Sequence, residues 1–145
     1  MFEKLFLLVK NNAGAAVINN PAIAATQHDA VINDATSSII EVLKGQVETG
    51  RLKDLVNYFE FSGVFDNPLV TSAVNKFANK LNNFYNLDMD AAMSISNALI
   101  RPVMQELIRQ SKGEQNKEFS LKSILSKLSV NVSDMGMLLN QLRIA

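Results

Sequence analysis

The 145-residue chain has no cysteine, no tryptophan and a single histidine. Without cysteine it can form no disulfide framework, no thiolate nucleophile and no zinc ribbon. One imidazole leaves little from which to build a metal centre, because such sites usually draw on three or four nitrogen, sulfur or oxygen ligands. Proline is scarce, with three residues, and so is glycine, with six. The glycines are dispersed and form neither G-x-G-x-x-G nor a Walker pattern, so a phosphate-cradling loop has no support. Net charge is also missing: fourteen Lys/Arg balance fourteen Asp/Glu. That balance excludes a polycationic nucleic-acid binder and an acidic disordered chain. Long apolar runs are absent too. Leu5 to Val9 is five residues with Glu3 ahead of it, against roughly 7–15 after a basic stretch for a secretory signal and about 20 for a membrane span. A cytoplasmic protein without a membrane span is the expectation.

What the chain does have is helical periodicity nearly throughout, carried by a 48% hydrophobic content. The first helix is predicted at about 2–12, with Phe2, Leu5, Phe6 and Val9 on one face and Gly14 as its stop. Asn20-Pro21 opens a short turn or helix. A long helix is predicted at about 27–49, where Thr26-Gln27-His28-Asp29 has the spacing of a capping box. Asp29, Asn33, Ser37, Glu41, Lys44 and Glu48 form its polar stripe. Val31, Ala35, Ile39, Val42 and Leu43 lie opposite, widened by Ile32 and Ile40. Gly50 ends it.

A shorter helix at about 51–61 presents Leu52, Leu55, Val56 and Phe59. Asn67-Pro68 then reads as cap and first turn of a helix at about 68–84, with Val70, Val74, Phe77, Leu81 and Phe84 inward. Asp88 caps a second long helix, about 89–111. It is enclosed on two rows: Ala92, Ile95, Leu99, Val103 and Leu107, beside Ile100, Met104 and Ile108. Pro102 inside it predicts a kink. Two further helices are expected at about 120–128 and 134–142. The fold class is therefore all-α: a single domain over 1–145, a multihelical bundle of about seven or eight helices built around the two long ones.

An internal repeat is weakly visible. Units of about 15–66 and 67–130 share an Asn-Pro start, a capped long helix and a short helix, which suggests tandem duplication of a helical module. Charge divides near the same boundary. Residues 1–66 hold five basic and eight acidic residues, and residues 67–145 hold nine and six.

No catalytic set assembles. His28 stands beside Asp29 at a helix start and has no second histidine to join it. Asn86, Asp88 and Asp90 imitate the opening of a calcium loop, but Ala91 replaces the bend glycine and Asn97 the closing glutamate, so helix capping accounts for the acids. No catalytic, metal-binding or cofactor-binding residue is assigned, and no cofactor is expected. Three weaker candidates remain. Asp34 lies on a largely apolar face and needs a partner when buried; Arg101, beside Pro102, is the predicted basic mate. Asn75, Lys76, Asn79 and Lys80 form a helix face with two cations and no acid, a weak likeness to a nucleic-acid-reading face. Met135, Met137, Leu138, Leu142 and Ile144 place apolar residues on more than one face of the terminal helix, which suits adaptable partner contacts.

The combination of Asn19-Asn20-Pro21, Asn67-Pro68-Leu69-Val70, Leu87-Asp88 with Ala91-Ala92, and Leu99-Ile100 before Pro102-Val103-Met104 resembles the YidB-like class of small bacterial proteins of unknown function. The resemblance spans roughly residues 2–142. It implies an all-helical, duplicated fold and brings no established activity or catalytic residue with it.

The reading that follows is a non-enzymatic interaction or scaffold protein working through helix faces, with a protein partner or a second copy. One alternative is a nucleic-acid-associated regulator using the 75–83 face, against which the neutral net charge weighs. The other is a small apolar-ligand binder with a pocket between the long helices.

Overall fold

A computed structural model of the chain describes residues 2–60 and 67–112. The described residues form five α-helices and two short irregular helical turns, with no strand among them: α1 (Phe2–Asn11), a π-helical turn (Gly14–Ile18), a 3-10 turn (Ala25–Gln27), α2 (His28–Glu48), α3 (Leu52–Glu60), α4 (Pro68–Phe84) and α5 (Met89–Lys112). The helices expected at 120–128 and 134–142, and the far part of the second repeat unit, lie outside the described residues.

Local chemistry sets most boundaries. Asn67 caps α4: its side chain accepts from the Leu69 amide at 3.0 Å, and Pro68 opens the helix without a donor to leave unsatisfied. Asp88 Oδ1 accepts from the Ala91 amide at 2.8 Å at the start of α5. At the end of α2, Gly50 adopts φ +75. The Gly50 amide reaches the Val47 carbonyl and the Arg51 amide the Gln46 carbonyl, the paired bonds of a Schellman ending.

Two junctions differ from the sequence reading. Thr26 does not cap α2. The capping position is Gln27, with φ −103 and ψ −4 and no side-chain cap bond. The 3-10 turn at Ala25–Gln27 runs straight into the helix, so Thr26 is already wound and cannot take the extended geometry that a capping box requires. At Gly14 the chain changes helix type rather than simply stopping: Asn19 donates to the Gly14 carbonyl and Ile18 to the Ala13 carbonyl, both five residues back.

Asn20 and Asn67, the two Asn-Pro positions, use their side chains alike. Each accepts from the amide two residues on and donates to a preceding carbonyl, Ala16 for Asn20 and Tyr58 for Asn67. Only Asn67 leads directly into a long helix.

The core is one cluster drawn from every described element except the 3-10 turn. α4 packs most extensively against α5 and next against α2, so both long helices share it as a neighbour. Ser96 lets the first pair approach closely, donating to the Val74 carbonyl at 2.6 Å with no exposure at either residue beyond 1%. The two rows predicted on α5 are buried, as are Val31, Ile32, Ala35, Ile39 and Leu43 on α2. α1 lies on α2 and touches α5, burying Leu5 and Val9. Phe84 departs from the expected inward face and is 68% exposed. The next residue, Tyr85, is the one turned towards α2, and this sends the Phe84 ring outward.

Candidate functional site

The end of the bundle where α2 begins and α4 finishes gathers the features that the core does not explain. Asp34 and Tyr85 meet there. The Tyr85 hydroxyl donates to Asp34 Oδ2 at 2.5 Å, across 51 residues of sequence. Burial, followed by this hydrogen bond and the nearby carboxylate charge, holds the Tyr85 phenol well above its ordinary range. Asp34 therefore has a partner, but not the one its sequence position suggested. Arg101 donates through Nε to Asn97 Oδ1 at 2.8 Å, four residues back on its own helix. The structure does not bring Asp34 and Arg101 together. Asp34 is read at a register set by the antiparallel packing of α2 on α4, which places Tyr85 opposite it.

Asn33, the residue before Asp34 on α2, lines an open cavity of about 400 Å³ between α1 and α2 together with Glu3, Phe6 and Leu7. Leu7 is 52% exposed. A pocket was expected between the two long helices; this one uses α1 instead. At the corner between α4 and α5, Phe84 and Met89 are both exposed, and Asp88 and Asp90 stand exposed beside Met89. Asn86 takes φ +57 in this corner, the left-handed geometry that asparagine tolerates.

The 75–83 face occupies the outer side of α4. Asn75, Lys76 and Asn79 are exposed and Lys80 is half-buried. Sequence reasoning saw no acid near these cations, because the acid comes from another helix. Glu41 of α2 lies 3.7 Å from Lys76 and 3.2 Å from Lys80. Both cations are thus partly neutralised within the fold.

Other charges also serve local structure. Arg109 forms a two-pronged bond to Glu106, three residues away, and Gln110 adds a third donor. The Arg109 bond, then that from Gln110, holds the Glu106 carboxyl down at about 2. His28 is half-buried as the first residue of α2. No group of three or more His, Cys, Asp or Glu side chains able to hold a metal ion occurs among the described residues. Among the same residues, no helix is long and apolar enough to cross a membrane. Met135, Met137, Leu138, Leu142 and Ile144, the predicted terminal interaction surface, lie outside the described residues.

No family model, no curated protein and no solved structure matches the chain.

Proposed function

We propose that the chain is a non-enzymatic interaction protein of the cytoplasm, acting through its helix faces on a protein partner or on a second copy of itself. The observation that carries this reading is Phe84. Phe84 is 68% exposed at a tight helix corner, with exposed Met89 close to it in sequence, and aromatic residues and Met are enriched at protein interfaces. Acidic groups elsewhere in the chain support the same reading. Asp34, Asp88, Glu41 and Glu106 are engaged as hydrogen-bond acceptor, helix cap and ion pairs, which is structural work.

The nucleic-acid reading is weakened by Glu41, which occupies both lysines of the face it would use. The apolar-ligand reading keeps one specific support, the cavity of about 400 Å³ between α1 and α2, a volume within the range of small-molecule pockets. The YidB-like resemblance is compatible with an interaction role and adds no chemistry to it.

Sedimentation velocity over a wide concentration range, together with capture of partners by the tagged chain, tests the proposal. Concentration-dependent association, or a stoichiometric protein partner, is expected. A chain that stays monomeric and retains no protein overturns it.

A further inference from the structure

We draw no further inference here: the strongest candidate, the apolar surface of Phe84 and Met89 exposed at the corner between α4 and α5, carries nothing beyond the reading above, because nothing in the structure shows what covers it.

Discussion

The Tyr85 hydroxyl lies 2.5 Å from Asp34 Oδ2 and joins the corner after α4 to the first half of α2. The two residues are 51 apart in sequence, so the bond exists only when α2 and α4 pack antiparallel in one register. A second contact, Lys80 with Glu41, fixes the same register: as numbers rise along α2 they fall along α4. Asp34 thereby gains a donor on a face that is otherwise mostly apolar.

Replacing Tyr85 by Phe removes this donor and leaves the Asp34 carboxylate half-buried without it. A hydrogen bond to a charged acceptor contributes on the order of 1.5–3 kcal/mol, and solvent access at Asp34 places the expected loss at the lower end. The pH dependence has a definite sign. The folded phenol titrates above the unfolded one, so its contribution is fully present below the unfolded value near 10 and fades as pH rises beyond it. Urea melts of parent and Tyr85→Phe chains should therefore differ at neutral pH and converge in strong alkali. Parallel curves at every pH would contradict this account.

Asn67 has no exposure and serves both helices it joins. Its oxygen takes the Leu69 amide, while its amide nitrogen donates to the Tyr58 carbonyl at 3.0 Å. Asn67→Ala leaves a buried donor and a half-buried acceptor unmet and should cost roughly 2–4 kcal/mol, the sum of a lost cap and one unsatisfied carbonyl. Asn67→Asp keeps the cap but sets a carboxylate against the Tyr58 carbonyl oxygen. Its stability should recover in part as pH falls and the new carboxyl is protonated. Thermal melts of both variants at neutral and mildly acidic pH measure this.

The readable parts of the fold are those whose cause is local. Asn67 and Asp88 cap helices two and three residues ahead, and Gly50 turns the chain where α2 ends, so nearby sequence suffices. Burial along α2 and α5 follows from apolar spacing alone. Tertiary partners are another matter. Nothing near Asp34 points to Tyr85 rather than Arg101, and nothing near Lys76 announces Glu41, because helix packing supplies both. Thr26 shows the reverse failure: a correct capping spacing was overridden when the preceding residues wound into a 3-10 turn. Phe84 continued the inward spacing of α4, yet the chain leaves the helix there and Tyr85 takes the inner place. The exposure of Phe84 was therefore invisible to periodicity, since the spacing assigned it to the core.

Two glycines of α2 and its end should respond oppositely to alanine. Gly45 lies inside the helix, and an added Cβ there meets nothing within 4 Å. Gly45→Ala should stabilise the chain by about 0.5–1 kcal/mol, through better helix propensity and a less flexible unfolded state. Gly50 has the same open space, but its φ of +75 strains any L side chain. Gly50→Ala should destabilise by about 1 kcal/mol. Denaturant midpoints of the two variants, taken together, separate backbone geometry from steric room. Shifts of the same sign would mean that the left-handed ending of α2 is not maintained in solution.

Glu41 offers the cleanest separation of structure from a nucleic-acid role. Its pairs with Lys76 and Lys80 sit at the surface, so Glu41→Gln should change stability by less than about 1 kcal/mol. The substitution nevertheless frees two cations beside Asn75 and Asn79 and raises the net charge by one. A face built to grip phosphates would respond strongly, since each added phosphate contact steepens the fall of affinity with salt. On the interaction reading the parent should show no salt-dependent shift of duplex DNA or RNA, and Glu41→Gln at most weak binding at low salt. Gel shifts across a salt series decide the matter. Tight parental binding, lost in Lys76→Glu with Lys80→Glu and strengthened in Glu41→Gln, would make the outer face of α4 the functional surface instead of the α4–α5 corner.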